Sequence, residues 1–356
     1  MSVTIRIAGP SDAEAVADLL RARDATSYAS NAVTHYLADF NPERITVWLA
    51  ERAGQPVAMN AVYRRSLESP VGSLAAGYWA HLFVRPEARS LMVYPQLVMA
   101  MLRWAQSGGA DLIYTATRQQ HVADAHLKLG FFKIATIPVL VRPLRPGRLV
   151  MSRSRALLRW AGWAAPVVDA SVSAGRAAIR LAGRVAAART VQHDDRADAH
   201  LASLQSRLTG YIRTSWTASD WLARFSCTIE GYPYWAAVAP QADKPEAGVL
   251  MRIAERGEPK IRAAVVLDLI DCSVGKAHAR SLLRWVEERA EDAGADAILV
   301  ASPSAEAECC AYRSKGYWTS PETYNLVYRP TSPRGQAESL RDAAAWRFSF
   351  AEHDAF

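Results

Sequence analysis

The sequence is poor in cysteine and lysine and contains no long apolar segment. Only four cysteines occur among 356 residues, and their density and spacing suit neither a disulfide-stabilised domain nor a zinc site. No stretch approaches the roughly 18 consecutive apolar residues of a transmembrane helix. The first residues lack the basic start and apolar core of a secretory signal. These absences favour a globular, cytoplasmic protein without a metal site.

Arginine accounts for most of the positive charge and is concentrated in one segment. Lysine occurs only six times, so 36 of the 42 basic residues are arginines. Ten of them fall between Arg142 and Arg189, where Asp169 is the only acid. With a net charge of +9 in this segment and +7 for the whole chain, the basic character is local. No DNA-binding motif accompanies the arginines, and we expect no interaction with DNA.

Two parts of the sequence repeat the same order of features. LRWAQSGGAD at 102–111 corresponds to LRWVEERAEDAGAD at 283–296, and a short apolar run follows each, as expected for a buried strand. Each copy then has a helix-like stretch that ends in glycine and an aromatic residue, at Gly130–Phe131 and Gly316–Tyr317. Three matches in one order indicate a duplicated α/β unit, which agrees with two domains in a chain of this length.

Apolar runs and alternating patterns predict further strands in both halves. The predicted strands cover 4–8, 46–52, 56–63, 77–84, 112–116, 234–240, 248–256, 262–270 and 297–301. A helical region at 11–39 begins with a capping sequence at Ser11. The predicted organisation is an N-terminal domain, an Arg/Ala-rich helical connector, a C-terminal domain and a tail, with bounds at 1–142, 143–197, 198–330 and 331–356.

This order of elements resembles the GNAT superfamily of acyl-CoA-dependent N-acyltransferases. The superfamily's loop motif is matched at Val84–Arg89 in the first half, and its later glycine–aromatic motif at Lys128–Phe131 and at Ala311–Tyr317. The tandem arrangement is similar to that of mycothiol synthase and the Fem-type peptidyltransferases, and is closest to GNAT-like proteins of bacterial cell-surface polysaccharide loci. The resemblance implies an α/β (α+β) fold with two GNAT-like domains. Each would hold a mixed, mostly antiparallel sheet flanked by helices, and a helical connector would join them.

The resemblance also implies that acetyl-CoA or another acyl-CoA binds at a small-residue loop before a helix. Such a loop lets backbone N–H groups approach the pyrophosphate. In the first half Ser90, Met92 and Tyr94 stand at the glycine positions, which leaves Arg89 as the candidate phosphate contact. The second loop keeps small residues and a lysine, so it is the predicted cofactor site. Its candidate residues are Gly275, Lys276, Ala277, His278 and Ala279.

Acyl transfer to an amine needs groups that handle two protons. In the superfamily a tyrosine of the glycine–aromatic motif often donates the proton to the departing thiolate, and this implies that role for Tyr312. In the first half His126 stands at the matching position. A base usually comes from the fourth strand, where Asp268 and His81 are the candidates. Tyr312 and Asp268 are therefore the predicted catalytic residues.

The predicted function is acyl-CoA-dependent transfer, with acetyl favoured, to the primary amine of a small molecule or a cell-surface sugar precursor. Two alternatives stay open: a Fem-type aminoacyl or peptidyl transferase, and a non-catalytic GNAT scaffold. Residues 143–190 either contact an anionic membrane, at the inner face of which the protein would act, or pack as a connector. The aromatic residues around Trp216 and Trp221 either line an acceptor cleft or belong to the core.

Overall fold

The computed structural model describes residues 3–23, 44–153, 164–184, 197–217, 220–221, 225, 233–240, 244–256, 260–273, 278–302 and 312–353. The chain divides into two compact units. The first unit comprises Met1–Thr136, Gly210–Ser215 and Tyr324–Trp346, and the second comprises Ile137–Thr209, Trp216–Thr323 and Arg347–Phe356. Each unit therefore combines stretches from distant parts of the sequence, whereas the predicted domains are contiguous.

The first unit holds a mixed sheet of five consecutive strands and one late strand. The strands are β1 (Val3–Ile7), β2 (Ile45–Arg52), β3 (Gln55–Glu68), β4 (Leu74–Val84), β5 (Leu112–Thr117) and the end of β12 (Trp318–Pro330). Strands β1 to β4 pair antiparallel in sequence order, β4 pairs parallel with β5, and β12 pairs antiparallel with β5. The short strand β7 (Arg213–Thr214) pairs with the end of β3. The strands predicted in this half are confirmed.

Helices α1 (Ala13–Arg23), α2 (Val93–Trp104) and α3 (Gln120–Lys128) belong to the first unit. In α2 an apolar face recurs at helical spacing, and its buried residues are Val93, Leu97, Val98, Met101 and Leu102. They join a core with Trp48, Val62 and Trp79 of the sheet, and burying one such side chain stabilises the fold by about 1.5–3 kcal/mol. The predicted helix at 11–39 is present over Ala13–Arg23, directly after a 3₁₀ turn at Pro10–Asp12, and 24–39 lie outside the described residues.

The second unit has the same kind of sheet in the order β6-β11-β10-β9-β8. Its strands are β6 (Phe132–Pro143), β8 (Tyr234–Ala239), β9 (Ala247–Arg256), β10 (Ile261–Asp271) and β11 (Ala297–Ala301). Strand β6 pairs within this sheet over Val139–Pro143. Of the strand pairs formed by the described residues of this unit, the β10–β11 pair alone is parallel. The predicted fold class, with mixed and mostly antiparallel sheets flanked by helices, is therefore confirmed.

The strand next to the parallel pair comes, in each unit, from the other half of the sequence. In the first unit Asn325–Pro330 of β12 pair with β5, and in the second unit Val139–Pro143 of β6 pair with β11. These backbone hydrogen bonds are formed between residues far apart in the chain. They explain why the compact units are discontinuous.

The second unit also contains two helices of the predicted connector, one at the start of the predicted C-terminal domain, and the helix after β10. They are α4 (Pro146–Arg153), α5 (Ala164–Arg184), α6 (Ala197–Ser206) and α7 (Ala279–Asp292). Asp169 of α5, the lone acid of the basic segment, accepts hydrogen bonds from the backbone N–H groups of Gly147 at 2.7 Å and Arg148 at 3.2 Å. It therefore caps the N-terminus of α4, where four N–H groups lack partners within the helix.

Three arginines of the basic segment form ion pairs in the second unit. Arg142 contacts Glu287 at 2.5 Å, and Arg145 and Arg148 lie 3.7 and 3.2 Å from Asp296. These pairs use part of the positive charge for packing, and membrane contact by 143–190 stays a prediction. None of the helices in the described ranges is long and apolar enough to cross a membrane.

Candidate functional site

In each unit the parallel strand pair stops before its strands end. Strand β4 pairs with β5 only over Ala76–Tyr78, and β10 pairs with β11 only over Ala263–Val266. A bulge follows the end of pairing in both units, in β4 opposite Asn60 and in β10 at Leu267. Bulges bend a strand and redirect its side chains. Each sheet therefore opens beside the strand predicted to carry the base.

The opening of the second unit forms a pocket that is partly open to solvent. Its walls come from β10, β11, the residues around Tyr312 and the C-terminal segment. The lining residues are Val266, Leu267, Asp268, Leu269, Val300, Ala301, Tyr312, Arg347, Phe348, Ser349 and Phe350. The structure thus brings together Tyr312 and Asp268, the two residues that the sequence analysis assigned to proton transfer.

Asp268 has a partner that the sequence analysis did not identify. Its side chain is buried, and Arg347 donates hydrogen bonds to both of its carboxylate oxygens and to the carbonyl oxygen of Leu269. A buried carboxylate requires such compensation. An acid within the apolar run around Asp268 signals a buried charge, but the sequence does not indicate which of 36 arginines pairs with it. Each oxygen that a base would offer to an amine therefore already accepts one hydrogen bond from Arg347.

Tyr312 and His126 occupy equivalent positions at the ends of two helical turns. The carbonyl oxygen of His126 accepts from the N–H of Phe131 at 3.2 Å, and that of Tyr312 accepts from the N–H of Tyr317 at 3.2 Å. Between them Gly130 and Gly316 adopt φ of 81° and 78°, the left-handed conformation that favours glycine. The Gly–aromatic motif is thus a helix-ending turn, as its position after each helix indicates.

His126 of the first unit is a buried imidazole among aromatic rings. It stacks on Trp79 with ring centroids 4.3 Å apart, and its Nδ1 lies 3.0 Å from the hydroxyl of Tyr94. Burial lowers the pKa of His126 to about 4, because the charged form loses its hydration. The side chain is therefore neutral at pH 7. Burial likewise raises the pKa of Tyr94 to about 12.

His81, the candidate base of the first unit, is buried at the bulge of β4. Its φ of +54° is unusual for a residue with a side chain. Nδ1 lies 2.9 Å from Nη1 of Arg23, and Nε2 lies 2.8 Å from the hydroxyl of Tyr63. Because arginine only donates, Nδ1 accepts, and in the neutral ring Nε2 carries the proton and donates to Tyr63. Both ring nitrogens of His81 are thus engaged within the first unit.

The first predicted phosphate loop contains a residue in the left-handed conformation that glycine usually adopts, although no glycine is present. Residues Pro86–Leu91 form a 3₁₀ turn, and Met92 follows with φ of 56° and ψ of 25°, directly before α2. Right-handed and left-handed residues in succession turn their N–H groups toward one side, an arrangement that suits anions. Arg89 is exposed, with its Nε 3.4 Å from the carbonyl oxygen of Val84.

The second predicted phosphate loop lies largely outside the described residues, and this applies to Gly275, Lys276 and Ala277. The N–H groups of His278 and Ala279, at the start of α7, donate to Oδ2 of Asp271 at 3.0 and 2.7 Å. The carboxylate satisfies these two N–H groups at the positive end of the helix. If these two N–H groups are to bind a phosphate of coenzyme A, they must first release the carboxylate of Asp271.

Trp216 and Trp221, the two tryptophans considered for an acceptor cleft, pack against each other and against Phe225. Trp216 and Trp221 stack with centroids 5.4 Å apart, and Phe225 meets Trp221 edge-on at 4.6 Å. All three are buried, and Trp221 is fully so. They form core structure of the second unit, so they offer no exposed ring face to a sugar.

Comparison with solved structures finds proteins of the same fold at low sequence identity. A GCN5-related N-acetyltransferase from Anabaena variabilis is 10% identical with a TM-score of 0.60, and covers 93% of this chain and 73% of its own. A probable N-acyltransferase from Enterococcus faecalis is 10% identical with a TM-score of 0.62, and the match covers 95% of this chain and 75% of that one.

Saccharomyces cerevisiae N-myristoyltransferase, solved with bound myristoyl-CoA, is 11% identical with a TM-score of 0.61, and the match covers 92% of this chain and 82% of that one. No protein-family model matches the sequence, and comparison with curated proteins finds no match. The structural likeness extends over nearly the whole chain and confirms the resemblance inferred from the two motifs. The chain has the fold of the GNAT superfamily, that of the GCN5-related N-acetyltransferases.

Proposed function

We propose that the protein is an acyl-CoA-dependent N-acyltransferase that carries an acyl group, acetyl in the first instance, to a primary amine. The acceptor would be a small molecule or a cell-surface sugar precursor. The observation that carries this proposal is the pocket of the second unit, whose walls include both Tyr312 and Asp268. The fold shared with N-acyltransferases supports the same reaction class, although fold alone does not establish chemistry.

The reaction is a direct attack within this pocket. The amine nitrogen forms a bond to the thioester carbonyl carbon, and the C–S bond breaks with its electron pair leaving on sulfur. The amine gives up one proton, and the thiolate takes one from the hydroxyl of Tyr312, so the products are an amide and free coenzyme A. Asp268 can accept the amine's proton at a remaining lone pair of its carboxylate, but its pairing with Arg347 favours the ionised form and weakens it as a base.

The proposal is tested with the purified full chain. Acetyl-CoA and a panel of primary amines, including amino sugars, are supplied, and free thiol and the new amide are measured by absorbance and mass spectrometry. Incubation of acetyl-CoA without amine gives the hydrolysis background. We expect amide formation above that background with at least one amine. Calorimetry that detects no binding of acetyl-CoA or coenzyme A would exclude the proposal.

A second candidate, a GNAT scaffold without catalysis, is favoured by one pair of observations. Arg347 occupies the carboxylate of Asp268, and Asp271 occupies the first N–H groups of α7. Both acids are thereby committed to internal contacts. This candidate predicts that neither acyl-CoA nor aminoacyl-tRNA raises the melting temperature, whereas a transferase is stabilised by its donor substrate.

A further inference from the structure

We propose that the C-terminal segment Arg347–Phe350 is the acyl-binding wall of the second unit's pocket. In this assignment Ser349 donates a hydrogen bond to the thioester carbonyl oxygen, and Phe348 and Phe350 restrict the acyl group to a short chain. The inference rests on the proposed function, because it specifies how the same pocket holds the donor's acyl group.

Ser349 is one of the pocket-lining residues, and its buried hydroxyl has no hydrogen-bond partner among the described residues. The residue is 8% exposed, so bulk water does not compensate for the missing bond. It also occupies the N-cap position of the 3₁₀ turn Phe350–Glu352, where a serine hydroxyl ordinarily accepts from a backbone N–H, yet it forms no such bond. The hydroxyl therefore remains available to a group in the pocket, and a carbonyl oxygen is a suitable acceptor.

The remaining wall is mainly apolar and fixed. Val266 and Val300 are the last residues that pair between β10 and β11, and both line the pocket together with Phe348 and Phe350. Phe350 is 1% exposed and Phe348 is 5% exposed, so these side chains are packed rather than free to swing aside. A long acyl chain would therefore require their displacement.

The placement of the wall also suits the charge that develops during transfer. When the amine attacks, the carbonyl oxygen becomes negative, and a hydroxyl donor aimed at it stabilises the transition state. Asp268 alone would oppose this charge, but Arg347 neutralises its carboxylate. Removing one donor to such an oxyanion typically lowers turnover by about 10²–10³-fold.

The first test is Ser349→Ala, assayed with acetyl-CoA. We expect kcat to fall by about 10²-fold or more, with the affinity for coenzyme A unchanged. Ser339→Ala is the matched control, because its hydroxyl is likewise buried without a partner among the described residues but lies outside the pocket. Equal activity of the two variants and the wild-type protein would overturn the role of Ser349. Its hydroxyl would then bond only to a bound water.

The second test measures chain length with acetyl-, butyryl- and octanoyl-CoA. We expect Phe348→Ala and Phe350→Ala to raise kcat/KM for octanoyl-CoA relative to acetyl-CoA by at least about tenfold, since each removes a ring from the wall of the pocket. Phe348→Leu serves as the milder variant if truncation prevents folding. Phe131→Leu, in the core of the first unit, is the control.

The outcomes separate this inference from the proposed function. Transfer from acetyl-CoA with an unchanged chain-length preference in all wall variants would overturn the wall assignment and leave the function standing. Absence of transfer from every acyl-CoA by the folded wild-type protein would instead remove the function itself. A wild-type protein that already prefers octanoyl-CoA would also contradict the assignment.

Discussion

Arg347 donates to both carboxylate oxygens of Asp268, from Nη2 to Oδ1 at 2.5 Å and from Nη1 to Oδ2 at 3.3 Å. The side chains are 13% and 1% exposed. The C-terminal segment is thereby joined to the strand that opens the pocket. One ion pair therefore links the stability of the second unit to the shape of its candidate site.

Arg347→Met is expected to destabilise the second unit by about 3–5 kcal/mol, because it leaves Asp268 buried without its counter-charge. The loss is measured by urea unfolding. Adding Asp268→Asn to the same chain should recover part of it, since the uncompensated charge is then absent. Arg284→Met, at a partly exposed pair with Glu288, is the control and should cost no more than about 1 kcal/mol. Equal losses at the two arginines would contradict the prediction.

Tyr312→Phe should lower kcat by about 10²–10⁴-fold while the affinity for acyl-CoA stays nearly constant, because a proton donor acts in the transition state. Steady-state kinetics and calorimetry provide the two readouts. Tyr317→Phe, at the neighbouring buried ring, is the matched control and should retain activity. Wild-type turnover in Tyr312→Phe would reduce Tyr312 to a packing residue.

Stability of the first unit should fall on acidification because of His126. Its folded pKa of about 4 lies below the ordinary value of 6.5, so between these pH values the unfolded chain binds a proton that the folded protein excludes. The contribution of the neutral His126 to the free energy of unfolding is fully present above pH 6.5. It is lost as the pH falls toward 4, and it amounts to about 3 kcal/mol in total. Unfolding measured across this range should show a smaller slope in His126→Phe. An unchanged slope, or the same change in the exposed His121→Phe, would argue against His126 as its source.

Asp169→Ala should destabilise α4 by about 0.5–2 kcal/mol, because the N–H groups of Gly147 and Arg148 lose their acceptor. Hydrogen exchange at 146–153 measures the effect locally. Asp169→Asn keeps one acceptor oxygen and should cost less. Unchanged protection in both variants would show that α4 does not depend on this cap.

Lys276→Glu should weaken the binding of coenzyme A by about tenfold or more, because it reverses a charge in the predicted phosphate loop. Lys276 lies outside the described residues, so this prediction rests on the sequence. Calorimetry with coenzyme A measures it, and Lys260→Glu, at an exposed lysine beside Glu255, is the control. Affinity equal to that of the wild-type protein would move the phosphate contact toward Arg89.

Local patterns in the sequence predicted the elements and the turns between them. Strand positions follow from apolar alternation, whose period is a property of the backbone. Gly130 and Gly316 end their helical turns with positive φ, as expected for glycine after a helix. The resemblance to the GNAT superfamily, and not these local patterns, assigned Tyr312 and Asp268 to one site.

The tertiary structure alone decided which distant groups meet. Asp169 stands out in the sequence as a lone acid, yet only packing places it at the N-terminus of α4. The pairing of Asp268 with Arg347 and the exchange of β6 and β12 between the sheets have no local signal. The physical reason is that propensity and periodicity act over a few residues, whereas ion pairs and strand pairing depend on which surfaces pack together.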